Sequence, residues 1–249
     1  MKVVATYSIK GGVGKTTTAV NLAFEAARAG VRVLVWDLDP QGAATYLLRV
    51  RPKLRGGSAR MVGAKGALEP HIRGSDLSPV HVVPADFSLR HLDLHLEATS
   101  DPAGRLASLL DPLRDQYDMA LLDCPPSISL ASESVFGATD ALLVPVVPAV
   151  LASRTLQQLT RFLADLPAPP QVLPFLSMVN GRRKLQREMV EDLAAAWPLL
   201  LTSAVPATAV VERMGSERAP VGVFAASSAA GRSYRDLWSE VATALWPGD

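Results

Sequence analysis

Near the start of the chain, Ser8-Ile9-Lys10-Gly11-Gly12-Val13-Gly14-Lys15-Thr16-Thr17 concentrates the residue types that hold phosphate. Glycines let a backbone fold around phosphate oxygens with its N–H groups turned inward, and a helix N-terminus adds partial positive charge. In such a loop Lys15 reaches the β- and γ-phosphates and Thr16 offers its hydroxyl to Mg2+. Three acids could serve the same chemistry. Asp37 and Asp39 stand in Val35-Trp36-Asp37-Leu38-Asp39-Pro40-Gln41-Gly42, and Asp123 opens Asp123-Cys124-Pro125-Pro126-Ser127. Phosphoryl transfer needs in-line positioning and charge neutralisation more than a strong base, so ordinary carboxylates suffice.

The elements that must position these groups are legible as apolar runs. Residues 3–8, 31–36, 80–84, 119–122, 141–147 and 172–179 have strand length, and helix-length segments at 17–29, 151–166 and 186–197 alternate with most of them. Strands apolar on both faces and separated by helices predict an α/β fold, a mostly parallel twisted sheet covered by helices on both faces. Ligands bind such sheets at the carboxyl ends of the strands, where the loop and all three acids fall. At 249 residues, 49% hydrophobic and 20% charged, the chain suits a single domain spanning 1–249. Between the second and third strands, Arg49, Arg51, Lys53, Arg55, Arg60 and Lys65 precede the first acid, Glu69, amid four glycines. This reads as a flexible basic surface segment.

A formal net charge of +1 gives no global basic field, so any nucleic-acid surface has to arise from local clustering of Lys and Arg. The single cysteine, Cys124, excludes an internal disulfide framework and suits a reducing, cytoplasmic setting. With no histidine or second cysteine near it in sequence, it reads as a filler of a small buried space. The apolar run at 141–152 is too short to span a bilayer and is interrupted by Pro145 and Pro148. The chain therefore reads as soluble or at most peripheral, and the run at 3–5 leaves no room for a signal peptide.

Ile9 stands where the standard phosphate-loop motif has its first glycine, and KGGVGKTT resembles the deviant Walker A motif shared by the partition ATPases, MinD, nitrogenase iron protein and several amidoligases. The match to the ParA/Soj partition ATPases runs almost the full length. D-x-D-P-Q-G at 37–42 resembles their switch I, LLDCPPS at 121–127 their Walker B and switch II, and residues 228–241 their last helix. Nitrogenase iron protein and iron–sulfur scaffold ATPases need two cluster-ligating cysteines per subunit. Related tyrosine kinases carry a C-terminal tyrosine cluster where this chain has only Tyr234.

The resemblance implies ATP and Mg2+ as ligands, with Gly11, Gly12, Val13, Gly14, Lys15, Thr16 and Thr17 around the phosphates. It implies that Lys10 reaches the nucleotide of a second subunit in an ATP-bound homodimer. Asp39 would orient the attacking water, and Asp37 and Asp123 would support the metal beside Thr16. Asn180, after the strand at 172–179, and Pro206 would contact the base. It further implies slow ATP hydrolysis stimulated by a ParB-like or cargo-adaptor protein, with non-specific DNA as a second partner and the nucleoid as the location. A MinD-like membrane regulator and an ATP-dependent amidoligase are the alternatives. The departures are local. Short partition ATPases usually read I-P-R-N-V-R-L-S-E-A-P-S around Pro206, with arginines implicated in DNA contact; here Ala207 and Val210 replace both, and Ala43 stands where Asn is frequent. The compensating basic residues are Arg182, Arg183, Lys184 and Arg187, together with Arg213, Arg218, Arg232 and Arg235.

Overall fold

The computed structural model describes residues 1–77, 79–149, 151–180 and 184–248, and the side chains of all of these except 184–187. Its strands are β1 (Lys2–Thr6), β2 (Val33–Asp37), β3 (Arg73–Gly74), β4 (Val80–Val83), β5 (Met119–Asp123), β6 (Ala141–Val146), β7 (Gln171–Val179) and β8 (Ala204–Pro206). They form one sheet in the order β3-β4-β2-β5-β1-β6-β7-β8. Every pairing is parallel except the antiparallel contact of β3 with β4. The helices are α1 (Lys15–Arg28), α2 (Ala43–Leu47), α3 (Gly57–Val62), α4 (Leu92–Glu97), α5 (Arg105–Leu110) and α6 (Leu130–Ala138), then α7 (Ala152–Ala164), α8 (Lys184–Ala196), α9 (Ala209–Glu212), α10 (Met214–Glu217), α11 (Val221–Phe224) and α12 (Ala229–Leu245).

The period of two along each strand divides the interior into two cores. Leu34 and Trp36 of β2, Ala120 and Leu122 of β5, and Leu142 and Val144 of β6 face one side, where Met61, Leu106, Phe136, Leu156 and Leu193 cover them. Their neighbours Val33, Val35, Met119, Leu121, Ala141 and Leu143 face the other, beneath Ala19 and Ala23 of α1 and Tyr234, Leu237 and Val241 of α12. Small residues on α1 let it lie close against the sheet, which brings its N-terminus to the carboxyl edge.

Six strands expected from sequence are present, with boundaries shifted by one or two residues, whereas β3 and β8, of two and three residues, were not anticipated. The basic segment before Glu69 is corrected more deeply. It is not a free surface loop, because Leu54, Met61, Val62 and Leu68 insert into the core between its cations. Ser58 of α3 donates from its amide to Ser88 Oγ and from its hydroxyl to Ser88 O, both at 2.7 Å, and Leu54 N donates to Asp86 Oδ2 at 2.8 Å.

The last helix is tied to the sheet edge by Glu240, which accepts from Thr202 N at 2.7 Å, Thr202 Oγ1 at 3.0 Å, Ser203 N at 2.8 Å and the Ser203 hydroxyl. Burial pushes this carboxyl up, but the donors from Ser203 and Thr202 together outweigh it and hold it below its ordinary value. A depressed carboxyl stabilises the fold above its unfolded pKa and loses that contribution as pH falls through the folded value. Glu240→Gln is expected to lower stability at neutral pH by roughly 1–3 kcal/mol. Urea unfolding at several pH values should show the gap to wild type closing below the ordinary carboxyl value of 4.5.

Candidate functional site

The loop between β1 and α1 is held open by backbone conformations that only glycine adopts cheaply. Gly12 (φ 70) and Gly14 (φ 97) are left-handed. A Cβ at Gly14 would lie 3.0 Å from Ser177 Oγ and 3.3 Å from Thr17 Oγ1, whereas one at Gly12 would meet nothing within 4 Å. Ser177 of β7 also donates to Val13 O at 2.8 Å, pinning the loop to a strand two places from β1 in the sheet. No side chain caps α1 and no acid stands in its first turn, so its first amides face the cleft. Lys15 is buried, and its Nζ donates to Lys10 O at 3.3 Å, folding the loop back on itself. Burial lowers the Lys15 pKa, while Asp123, Cys124 and Asp39 pull it back up.

Two of the three acids are completely buried and face each other across the β2–β5 pair, where Asp37 and Asp123 are register partners. Asp37 is fully engaged: Oδ2 accepts from Thr45 N at 2.8 Å and Thr45 Oγ1 at 2.7 Å, and Oδ1 from Asp39 N at 3.2 Å. Desolvation nonetheless raises its pKa to about 6. Asp123 Oδ1 accepts from Thr6 Oγ1 at 3.3 Å, but Oδ2 has no hydrogen-bond partner among the described residues. Burial first and the neighbouring Asp37 second raise the Asp123 pKa, opposed by the Thr16 hydroxyl. A buried carboxylate oxygen left bare beside a second acid fits a cation, and Thr16 supplies a hydroxyl in the same place. Asp39 is half-exposed on the cavity wall, with Oδ1 accepting from Gln41 N at 2.9 Å. Cys124 is buried with its thiol on Leu122 O, as a space-filling residue should be.

The cavity over this edge has a volume of ≈ 760 Å³ and brings Gly11, Gly12, Gly14, Lys15, Thr16, Thr17 and Asp39 to one end. Pro206, at the close of β8, lines the same cavity. Asn180 directly follows β7 but is not among the lining residues. Two far-end residues were missed. Tyr46 of α2 is 49% exposed, and the Arg218 guanidinium lies 4.5 Å from its ring centre. Met178 is 42% exposed and left-handed (φ 55), at the register shift between β7 and β8. Strand-like hydropathy hides the Met178 kink, and an aromatic on the five-residue helix α2 carries no periodic signal.

Lys10 meets Lys15 through its carbonyl but lines a different cavity. It is exposed and lines a second cavity of ≈ 310 Å³, with Ile9, Val146, Leu151 and Thr155. Of the expected basic surface, Arg182 and Arg183 lie outside the described residues, as do the side chains of Lys184 and Arg187. Arg213, Arg218, Arg232 and Arg235 each make a contact within the fold.

A glycine loop joining a buried strand to a helix, with acids at the ends of the two adjacent strands, defines a P-loop nucleotide-binding fold. A family model described as an AAA domain matches residues 1–169. The chromosome-partitioning ATPase Soj of Thermus thermophilus is 34% identical over 241 residues, covering 93% of this chain and 92% of that protein. The chromosome partitioning protein ParA of Caulobacter vibrioides is 29% identical over 251 residues, covering 97% and 94%. The chain belongs to the ParA/Soj family of partition ATPases. Solved structures share the fold: cobyrinic acid a,c-diamide synthase of Mycobacterium smegmatis with bound ATP analog and magnesium (24% identical, TM-score 0.82, covering 100% of this chain and 97% of that one) and the septum site-determining protein MinD of Pyrococcus horikoshii with Mg-ADP (21%, 0.79, 96% and 95%).

The two left-handed glycines differ in what surrounds them, which sets a measurable order. Gly14→Ala, strained in backbone and crowded by Ser177, should lower stability by about 1–3 kcal/mol. Gly12→Ala should fall at the low end of that range, and chemical denaturation of the two variants checks the order.

Proposed function

We propose that this chain binds ATP with Mg2+ in the larger cavity and hydrolyses it as the timer of a dimeric positional switch that acts on DNA or a DNA-borne cargo. The observation that carries this reading is the convergence of the glycine loop, Lys15 and Asp39 with the bare, buried Oδ2 of Asp123. The backbone of 11–17 cradles the phosphates and Lys15 meets the β- and γ-oxygens. Mg2+, held by Thr16 and Asp123 with Asp37 behind them, supplies charge neutralisation on the phosphate oxygens. Asp39 holds the attacking water in line, and Pro206, with Asn180 beside it, receives the base. Lys10, outside the cavity that holds Lys15, is free to serve the nucleotide of a second copy.

The partition role is supported by the printed functions of the Thermus and Caulobacter relatives and by their near-complete coverage of the chain. In this reading hydrolysis, stimulated by a ParB-like or cargo-adaptor protein, removes the γ-phosphate contacts that hold switch loops and dimer together. The location follows as cytoplasmic and nucleoid-associated. A MinD-like attachment to membrane would need the apolar face of the last helix. In α12 that face, Tyr234, Leu237, Trp238, Val241 and Leu245, is buried in the core. Among the described residues no helix is long and apolar enough to cross a membrane.

The three functional groups make separable predictions. Lys15→Ala should weaken ATP binding by on the order of 10²-fold in calorimetry, because a buried cation is removed from its anionic partner. Asp39→Ala should bind ATP normally and turn it over about 10²-fold more slowly in a phosphate-release assay, having lost only water positioning. Lys10→Ala should keep ATP binding and lose dimerisation with a slowly hydrolysed analogue, read by light scattering. A wild type that stays monomeric with the analogue, with turnover that depends on a small carboxylate substrate, would replace the switch with an amide-forming ligase.

A further inference from the structure

The four described arginines expected to touch DNA are occupied by the fold. Arg213 pairs with Glu217 at 2.6 Å and covers Phe224, its guanidinium 5.2 Å from the ring centre. Arg218 stacks over Tyr46 and donates to Tyr46 O at 3.3 Å. Arg232 donates to Ser227 O, and Arg235 donates to Ala226 O at 2.7 Å. Each contact takes only part of a guanidinium's five N–H donors, but it holds the side chain against the fold.

The excursion between α2 and β4 is in the opposite condition. Arg51, Lys53, Arg55, Arg60 and Lys65 are all exposed, and none has a carboxylate within ion-pair distance among the described residues. Glu69 is the one acid between Arg49 and Arg73. Part of this group converges on His71. Arg55 N donates to His71 Nδ1 at 3.2 Å, and Arg73 donates to Pro70 O at 3.1 Å and Ile72 O at 2.6 Å, the carbonyls on either side of the imidazole. Arg60 folds onto Gly56, so closely that a Cβ there would lie 2.7 Å from Arg60 Cδ. The His71 pKa is lowered by burial and then by Arg73, Arg55 and Arg60, which keeps the ring neutral amid these cations.

The platform beneath is rigid, since Leu54, Met61, Val62 and Leu68 anchor it in the core. Within 49–74 itself no large hydrophobic side chain is exposed, the exposed Phe87 lying just outside it beside Ser88. A lipid interface is bound by apolar insertion as well as charge, whereas a duplex backbone is bound by cations alone. We propose that this excursion, with Arg51, Lys53, Arg55 and Arg60, is the surface that holds DNA phosphates, in place of the segment following Pro206. The assignment rests on the reading of the chain as a DNA-associated switch, and it moves the contact to the opposite edge of the sheet from β8.

The test compares wild type, Arg51→Gln/Lys53→Gln/Arg60→Gln and Arg232→Gln/Arg235→Gln. Each is incubated with a slowly hydrolysed ATP analogue and a fluorescent duplex of arbitrary sequence, over a series of salt concentrations. The triple variant alters only exposed side chains, and matched thermal unfolding and ATP affinity confirm that fold and nucleotide site are intact. The expected result is a large loss of duplex binding, with the slope of log affinity against log salt shallower by about 3 per protomer. The α12 pair should change little. Unchanged binding and slope in the triple variant, or loss confined to the α12 pair, overturns the assignment and leaves the switch reading standing. A wild type that binds no duplex overturns both. Binding of wild type to phosphatidylglycerol vesicles but not to duplex, lost in the triple variant, makes the excursion a lipid contact and overturns its assignment to DNA.

Discussion

Two carboxyl groups, buried side by side at the ends of adjacent strands, set the terms for everything around them. An isolated charge in the interior is expensive, and two of like sign more so. Asp37 is compensated from within the chain by Thr45 and the Asp39 amide, which fixes the start of α2 and with it the position of Asp39. Asp123 is compensated only in part, and its bare oxygen is the one place where an external cation would complete the set. The strand order β2-β5-β1 sets this geometry, because it places Asp123 on the strand beside the one that launches the phosphate loop and Asp37 one strand further out.

Local chemistry was readable in the sequence to the extent that it is contiguous. The loop at 8–17 and the two acidic stations each sit within a few residues of a strand end, so period and composition reveal them together. Nearly all buried strands were legible for the same reason, being apolar on both faces. What stayed hidden depends on partners distant along the chain. The three residues of β8 are a strand only because β7 lies beside them, and Met178 is left-handed only because the two strands shift register there. In the excursion before β4, core residues are spaced among glycines and cations, so its composition reads as loop while its burial is that of a core element.

The arginines show why counting charge in a sequence says little about where charge is available. Arg49 and Arg218 are both left-handed, and Arg49 donates to Arg218 O at 2.7 Å, so two cations that composition assigns to the surface instead brace α2 against the α10–α11 turn. Their purpose is the far wall of the cavity, where Tyr46 stands. The cations with no such duty lie elsewhere. Electrostatic reach belongs to side chains without internal partners, and only the three-dimensional arrangement separates these from the rest.

Tyr234 belongs to the final helix, yet it is buried in one core with Ala19, Val20 and Ala23 of the first, and Asn21 of that first helix accepts from Val221 N at 2.8 Å. The helix that carries the phosphate loop is therefore braced by a residue 200 positions further along the chain. During synthesis the loop, the acids and the central strands all emerge long before α12, and α1 must wait with its outer face uncovered until α12 has been made. Such long-range closure slows folding and prolongs exposure of apolar surface. The architecture thus delays a competent nucleotide site until α12 is in place, and a chain cut short before α12 would present its phosphate loop on an unsupported helix.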